Sequence, residues 1–321
     1  MERFTCGYCG AHELQTLFAT QTRAGENFQL ALCPNCQTQT LVPQPTDAQL
    51  AHAYDDSYYG EKEEKFGGWV ERVLDGFRNG RARKIARLLP SGGTVLDIGC
   101  GNGRFLQSLI QRGFIGHGIE LPGGSADRAA RVPGLNLKVG SLAPDDFAPN
   151  SLNAVTLWHV YEHLREPKRT LEIISQILKP GGFLVLSLPN IKSWQAQWFK
   201  GDWFHLDPPR HLFFQGPDCL QAHVTALGFD CKEVNFFSLE QNPFGFQQSL
   251  INRYASERDF LYELLKGNQS ALAQPAIRRW FHRLLGLLTT APAIALSILE
   301  ALAGRGGTME LVFQKRPAAL E

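Results

Sequence analysis

The pattern of hydrophobic and polar positions changes near residue 94. From there, short apolar runs alternate with amphipathic segments that have helical periodicity. The runs expected to form strands are 94–99, 115–121, 135–141, 152–160 and 183–190, and the helical segments between them are 103–113, 125–132 and 167–182. Because apolar strands that alternate with helices pack as a parallel sheet covered on both faces, the pattern predicts a doubly wound α/β domain.

Two further strands are expected near 229–238 and 308–316, which makes seven. A helix opened by Gly216 and Pro217 precedes the first of them, and a long stretch of mostly helical character separates the two. We therefore divide the chain into five segments, namely a small module at 1–45, a helical connector at 46–90, the sheet domain at 91–237, a helical insertion at 238–307, and a final strand and tail at 308–321.

Composition and charge exclude little but set limits on partners. The 321 residues are 44% hydrophobic, which is enough to fill the cores of about two domains. Lys and Arg number 32 and Asp and Glu 31, so the formal net charge of +1 gives no broad field for nucleic acid or an anionic surface, and any such contact must be local. The first residues lack the apolar run of a signal peptide, which predicts a cytoplasmic protein.

Four of the seven cysteines form two CxxC pairs near the start of the chain. Cys6 and Cys9 make the first pair, Cys33 and Cys36 the second, and 23 residues lie between them. Four thiolates at such spacing can close a tetrahedral zinc site and supply folding energy to a module too small for its own core. We predict a structural zinc ribbon at 1–45, with a metal-free redox pair as the alternative. The other three cysteines are expected to be small buried residues.

A glycine-rich turn follows the first strand of the sheet domain. The string TVLDIGCGNGRFL places Asp97 at the strand end and three glycines before the next helix, where a tight turn lets a ligand approach the backbone. Glu120 closes the next strand, where a carboxylate can accept both hydroxyls of a ribose. These residues predict a nucleoside site at the carboxyl ends of parallel strands.

A dinucleotide is the competing ligand for this turn. The spacing is GxGxG rather than GxGxxG, and Arg104 stands where helix and strand would pack closely. Asp97 would repel a pyrophosphate, whereas it would attract the ammonium group of a methionine. The local chemistry therefore favours a cationic nucleoside.

Residues 95–103 and Glu120 match motifs of the class I S-adenosylmethionine-dependent methyltransferases, and the chain resembles that family over about 90–235. The resemblance implies a Rossmann-like sheet whose last strand is antiparallel, with S-adenosylmethionine as the cofactor. The implied cofactor-binding residues are Asp97 at the methionine amino group, Gly99 and Gly101 along the methionyl part, Glu120 at the ribose, Ser141 and Leu142 at the adenine, and also Gly103, Leu121 and Trp158. The chain departs from the family at Ser141 and Asn153, where acidic residues are common.

A zinc ribbon, the aromatic string AYDDSYYG and then the glycine motif resemble a bacterial methyltransferase subgroup. Its members commonly act on sugars, glycans or other small metabolites, which implies a small-molecule or sugar-type acceptor. The ribbon carries only Arg3 and Arg23 as cations, so a nucleic-acid partner is not expected.

The segment 198–214, WFKGDWFHLDPPRHLFF, lies where this fold places its acceptor lid, and the resemblance to the subgroup includes its string HLDPPRH. Rigid turns and aromatic walls exclude water, and a histidine of near-neutral pKa can remove the acceptor's proton. We predict His205 or His211 as this base, with Arg210 in the same site and His159 as the next candidate. The alternative is an ion pair of Asp207 with Arg210 that only pins the loop.

His159 also opens the string HVYEH, which matches the inverted zinc-protease motif. That motif needs a helix, whereas this string begins in an expected strand, so a protease is not predicted.

Residues 278–303 begin with basic and aromatic residues and continue as a long apolar run. Thr289, Thr290 and Pro292 interrupt the run and a strand follows it, so a membrane span is not expected. Two interpretations stay open. The helices form a lid or a homodimer face, or they form a monotopic element that contacts a membrane and a lipid-linked acceptor.

Together these features predict a methyltransferase whose main contributions are alignment and proton removal. Two alternatives remain. One is a catalytically silent cofactor-binding scaffold, which would lack proton acceptors on the acceptor side. The other is a methyltransferase for nucleic acid or a lipid-linked substrate.

Overall fold

The computed structural model describes residues 4–54, 68–255 and 257–317. The strands are β1 (Gln15–Gln21), β2 (Asn27–Leu32), β3 (Gln39–Val42), β4 (Thr94–Ile98), β5 (Ile115–Glu120), β6 (Asn136–Val139), β7 (Leu152–Trp158), β8 (Leu178–Pro189), β9 (Phe213–Phe214), β10 (Phe229–Asn235) and β11 (Thr308–Lys315). The helices are α1 (Asp47–Ala53), α2 (Gly68–Leu88), α3 (Arg104–Ile110), α4 (Gly124–Ala129), α5 (Pro167–Ile177), α6 (Trp194–Phe199), α7 (Pro217–Ala226), α8 (Asn242–Tyr254), α9 (Phe260–Lys266), α10 (Gln269–Leu272) and α11 (Ala276–Leu302).

Contacts group the chain into two units, each made from three separate segments. The first unit comprises Met1–Gly67, Pro189–Cys219 and Asn235–Met309. The second comprises Gly68–Leu188, Leu220–Val234 and Glu310–Glu321. This grouping does not follow the five segments drawn from the sequence, whose boundaries stay a prediction.

A seven-stranded sheet in the order β10-β11-β8-β7-β4-β5-β6 organises the second unit. Strands β6, β5, β4, β7 and β8 are parallel to one another. Strand β11 is antiparallel to β8, because the end of β11 meets the start of β8, where Gln314 donates a hydrogen bond to the carbonyl of Gly181. The predicted fold class is thus confirmed, and the strand order reverses between β4 and β7, which opens a crevice at their carboxyl ends.

The core of the second unit lies between this sheet and its helices. Strand β4 is buried along almost its whole length, as expected for a central parallel strand covered on both faces. The side chains of the core are Ala82, Ile85, Val95, Cys100, Phe105, Leu106, Leu109, Phe114, Ala129, Ala154, Val185 and Val312. Strand β8 begins earlier than the apolar run suggested, because Leu178 already pairs with Leu152.

An antiparallel sheet in the order β1-β2-β3-β9 forms part of the first unit. Its edge strand β9 comes from the segment 198–214, and Phe213 and Phe214 pair with Thr40 and Gln39 of the cysteine module. The apolar core of this unit contains Leu30, Ile191, Ala196, Phe199, Trp203, Leu206, Phe214, Phe246 and Ala293. The small N-terminal module therefore packs as one body with the aromatic segment.

The helical insertion ends in a single long helix, α11. Thr289, Thr290 and Pro292 interrupt the apolar run of the sequence but not the helix, which continues through all three. The hydroxyl groups of Thr289 and Thr290 donate to carbonyls one turn back, at Leu285 and Gly286, so both are accommodated within the helix. By length and composition alone, α11 is sufficient to cross a bilayer, and only 22% of its most apolar window is buried.

The helical connector is described in part. Helices α1 and α2 form, and Thr46 caps α1 by accepting a hydrogen bond from the backbone of Gln49. Residues 55–67, which include most of the aromatic string AYDDSYYG, lie outside the described residues, as does Arg3.

Candidate functional site

Two carboxylates end the adjacent parallel strands β4 and β5 of the second unit. Asp97 is buried and accepts a 2.6 Å hydrogen bond from the hydroxyl of Thr156 on β7. Burial raises the pKa of Asp97 to about 7, with a contribution from the charge of Glu120, and the hydrogen bond from Thr156 opposes this shift. A cation at this site would therefore favour the ionised form of Asp97.

Glu120 is also buried, and two backbone amides hold its side chain. The N–H of Gly101 donates to Oε2 at 2.6 Å, and the N–H of Leu121 donates to Oε1 at 3.1 Å. Burial raises the pKa of Glu120, although both hydrogen bonds act in the opposite direction. The carboxylate is thereby fixed beside the glycine turn, and it can still accept hydroxyl donors.

The glycine turn leaves open space where a ligand is expected. Gly99 and Gly101 have φ angles of +70° and +57°, which favour glycine. A Cβ on Gly99 would lie 2.4 Å from Cγ2 of Val160, so packing alone requires glycine there. A Cβ on Gly101 would meet nothing within 4 Å among the described residues. The turn therefore has open space at Gly101, where the methionyl chain of the cofactor is predicted to bind.

The remaining predicted cofactor residues lie at the carboxyl ends of neighbouring strands. Leu121 follows β5 and is half exposed. Ser141 and Leu142 follow β6. The end of β6 is held to β5 by a 2.8 Å hydrogen bond from the N–H of Gly140 to the carbonyl of Glu120. Trp158 ends β7. The fold thus brings the predicted residues of β4 to β7 to one sheet edge, and their roles stay a prediction.

His159 follows β7 at the same edge in a left-handed conformation, with φ of +55°. Its backbone N–H donates to the carbonyl of Ser187 at 2.8 Å, Nε2 lies 3.3 Å from the Ser187 hydroxyl, and Nδ1 lies 3.6 Å from a carboxylate oxygen of Glu162. A non-glycine residue in this region costs about 1–3 kcal/mol, and such strain clusters at functional sites. Because Glu162 and His163 lie in a 3₁₀ turn, the helix of the zinc-protease motif is not formed by these described residues.

The string HLDPPRH lies in the first unit and is held by a buried ion pair. Nε and Nη2 of Arg210 donate to the two carboxylate oxygens of Asp207, and Nη1 donates to the carbonyl of Ala53. Burial would raise the pKa of Asp207, but the charges of Arg210, His211 and Arg23 hold it well below its usual range. The ion pair considered as the alternative is therefore formed.

His211 and His205 are both buried and linked to each other. Nδ1 of His211 lies 2.7 Å from the carbonyl oxygen of His205, and Nε2 lies 3.9 Å from Asp207. The ring of His205 packs against Gly245, where an added Cβ would lie 2.2 Å from Nε2 of the imidazole. His205 is thus enclosed by its own unit, whereas His211 is oriented by hydrogen bonding.

The four cysteines of the ribbon converge in space. All four sulfurs lie within 4.8 Å of one another, with 3.6 Å between Cys6 and Cys36 and 3.5 Å between Cys9 and Cys33. A tetrahedral zinc ion with bonds of about 2.3 Å would separate its sulfurs by about 3.8 Å. The donor set and its geometry therefore fit a structural zinc ion.

Several contributing residues carried no recognisable signal in the sequence. Thr156 and Ser187 are ordinary strand residues whose hydroxyls contact Asp97 and His159 only because the strands are neighbours. Cys219, expected to be a buried residue, is partly exposed and its thiol donates to the carbonyl of Cys36. Cys231 is likewise only partly buried.

Comparison with known proteins relates the chain to a family. A family model described as a methyltransferase domain matches residues 74–234, which is half of the chain. The ubiquinone biosynthesis O-methyltransferase of Saccharophagus degradans is 32% identical over 103 residues, which is 30% of this chain and 43% of that protein. The protein of the same name from Idiomarina loihiensis is 32% identical over 114 residues, covering 32% and 46%. The chain thus spans less than half the length of these relatives.

Among solved structures, the cyclase SpnF aligns with a TM-score of 0.52 and 18% identity, covering 85% of this chain and 97% of that one. At this identity the similarity shows the fold alone. Because that neighbour is named a cyclase, the fold does not by itself specify the reaction.

Replacing Gly101 with alanine tests the predicted methionyl position, and Gly113→Ala is the control. Both glycines have positive φ angles, so either substitution should cost about 1–2 kcal/mol of folding free energy. Neither added Cβ would contact another residue that the structure describes. Only Gly101→Ala places a methyl group in the predicted methionyl space, so it should weaken S-adenosylmethionine binding by about tenfold or more. Isothermal titration and thermal denaturation measure the two effects. Equal cofactor affinity in the two variants would contradict the assignment.

Proposed function

Because this chain belongs to the methyltransferase domain family, we propose that it transfers a methyl group from S-adenosylmethionine to a hydroxyl group of a small molecule. The observation that carries this proposal is the pair of buried carboxylates, Asp97 and Glu120, beside a turn with open space at Gly101. A ligand with an ammonium group near one carboxylate and ribose hydroxyls near the other satisfies both.

In this proposal the residues at the carboxyl ends of the parallel strands have separate roles. Asp97 holds the methionine ammonium, directly or through water, and Glu120 accepts the ribose hydroxyls while the amides of Gly101 and Leu121 fix its position. Ser141 and Leu142 contact the adenine, and Leu121 and Trp158 lie at the ends of the neighbouring strands β5 and β7. When bound, the cofactor supplies a methyl group on a positively charged sulfur. The protein's contribution is to align the acceptor oxygen and to take its proton.

The acceptor class follows from two lines of support. The curated relatives are named O-methyltransferases of ubiquinone biosynthesis, which supports a hydroxyl acceptor on a small molecule. The order of ribbon, connector and glycine motif supports a sugar or glycan. Transfer of a labelled methyl group to phenols, sugar nucleotides and lipid-linked sugars would distinguish these acceptors.

The base we propose is His211. Nδ1 of His211 lies 2.7 Å from the carbonyl oxygen of His205, and if it donates there the basic lone pair of the neutral imidazole is on Nε2. Asp207, kept ionised by Arg210, lies 3.9 Å from Nε2 and would stabilise the imidazolium that forms. His205 and Arg210 then act by positioning, and His159, paired with Glu162 at the strand edge, is the next candidate.

We also propose that the four cysteines hold one zinc ion and that this ion stabilises the acceptor segment. Strand β9 pairs with β3, which begins shortly after the second CxxC pair. The side-chain amide of Gln215 donates to the hydroxyl of Thr38, and the thiol of Cys219 donates to the carbonyl of Cys36. The metal would thus be structural, and its effect on turnover would be indirect.

Replacing His211 tests the proposed base. His211→Asn retains a donor for the His205 carbonyl but lacks a basic nitrogen, so turnover should fall by about a hundredfold or more. Affinity for S-adenosylmethionine should be unchanged. His52→Asn, at an exposed position on α1, is the matched control and should retain turnover. Steady-state kinetics with the acceptor found by labelled-methyl transfer, together with titration of the cofactor, provide both readouts, and undiminished turnover in His211→Asn would exclude this base.

Removing the metal tests its structural role. Purified full-length protein should contain one zinc ion per chain, and Cys36→Ser should lose it, while Cys231→Ser should retain it because Cys231 lies on β10, outside the cluster. Amide hydrogen exchange at Phe213 and Phe214 should become faster in Cys36→Ser, since their strand partner lies in the ribbon. Elemental analysis and exchange measured by mass spectrometry give the result. Zinc-free protein with slow exchange at β9 would contradict the proposal.

A further inference from the structure

Helix α11 of the first unit has its polar side inward and its apolar side outward. The exposed large apolar side chains are Ile277, Trp280, Phe281, Leu287, Leu288, Ile298, Leu299 and Leu302. Ile277, Phe281, Leu288, Leu299 and Leu302 follow one another at steps of 4, 7, 11 and 3 residues, each close to a whole number of helical turns. They therefore lie on one side of the helix, which we term the outer face of α11. Leu287 and Leu288 are 73% and 65% exposed, values opposite to those expected for a helix that borders water.

The inward side of α11 is fixed by polar contacts within the first unit. The side-chain amide of Gln247 on α8 donates to the carbonyl of Gly286 and to the hydroxyl of Thr289. Gln195 on α6 donates to the carboxylate of Glu300 at 2.8 Å. Rotating α11 to bury its apolar stripe would break these contacts, because polar groups buried in the unit need their partners. The outer face is therefore a stable feature of the fold.

Cations lie beside the aromatic end of the outer face. Arg283 is exposed in the second turn of α11, close to Trp280 and Phe281, and Arg279, one turn earlier, is partly buried with its Nε atom covered. The only acidic residue of this fully described helix is Glu300, which is buried. An apolar stripe with arginines and a tryptophan at its border complements an anionic bilayer surface, where the apolar side chains enter the acyl region and the guanidinium groups reach the headgroups.

We propose that the outer face of α11 docks in the interface of an anionic phospholipid bilayer, with the helix lying in the membrane plane. A spanning orientation is disfavoured, because it would place His282, Ser297 and Glu300 in hydrocarbon and break the contacts to Gln195 and Gln247. Twenty-seven helical residues give a contact line of about 40 Å. A second copy of this chain fits less well, since the outer face of α11 offers no carboxylate to pair with Arg283 across a symmetric interface.

This inference goes beyond the proposed methyl transfer and does not depend on it. A docked protein would meet acceptors that are dissolved in the bilayer, such as molecules with a hydroxyl-bearing head and an apolar tail. Membrane binding and activity can be measured separately, so either proposal can fail without the other.

The test is sedimentation of the full-length protein with phospholipid vesicles. Wild-type protein should bind vesicles of phosphatidylcholine mixed with phosphatidylglycerol more tightly than vesicles of phosphatidylcholine alone. The affinity of the double variant L287E/L288E for mixed vesicles should be lower by about tenfold or more. As matched controls, Leu17→Glu on β1 and Val73→Glu on α2 replace other exposed apolar residues and should not change binding.

A second pair of variants tests the charge contribution without disturbing the apolar stripe. R279Q/R283Q should reduce binding to mixed vesicles to the level seen with phosphatidylcholine alone, and added salt should do the same to the wild type. Circular dichroism shows whether each variant is folded. The proposal is overturned if the wild type stays in the supernatant with both vesicles, or if the outer-face and arginine variants bind like the wild type. It is also overturned if sedimentation velocity shows a lipid-free dimer that L287E/L288E converts to monomer while the wild type binds no vesicles.

Discussion

Two carboxylates buried side by side at one sheet edge are the constraint on which the candidate site depends. Asp97 and Glu120 are brought together because β4 and β5 are parallel neighbours, and burial raises the pKa of both. Such a pair is unfavourable in isolation and becomes favourable when a cation and hydroxyl donors arrive. The glycine turn, the Thr156 hydroxyl and the amides of Gly101 and Leu121 all serve to hold this pair in position.

Much of the second unit was predictable from the sequence, because its signals are local. Apolar runs locate the strands, and the match of 95–103 and Glu120 to class I methyltransferases is confirmed by the family to which the chain belongs. The two CxxC pairs favour a four-sulfur cluster over a redox pair, and the four sulfurs do converge in space.

The first unit shows what local signals cannot supply. Strand β9 is only two residues long, and it forms because Phe213 and Phe214 meet the edge of β3, far away in the chain. The outward orientation of the apolar stripe on α11 depends on Gln195 and Gln247, which no periodicity in α11 reveals. Likewise, Thr289, Thr290 and Pro292 interrupt the apolar run, and the helix still continues through all three. Long-range packing decided these points.

The most direct test of the central claim is calorimetric titration of the purified protein with S-adenosylmethionine and, in parallel, with NAD. S-adenosylmethionine should bind, and the dinucleotide should not. Because the pKa of Asp97 is about 7, protonation at pH 6 removes its charge, so affinity for the cationic ligand should be up to about tenfold weaker than at pH 8. Asp97→Asn should abolish that difference. Preference for NAD, or no binding of S-adenosylmethionine at either pH, would show that Asp97 and Glu120 do not hold this cofactor.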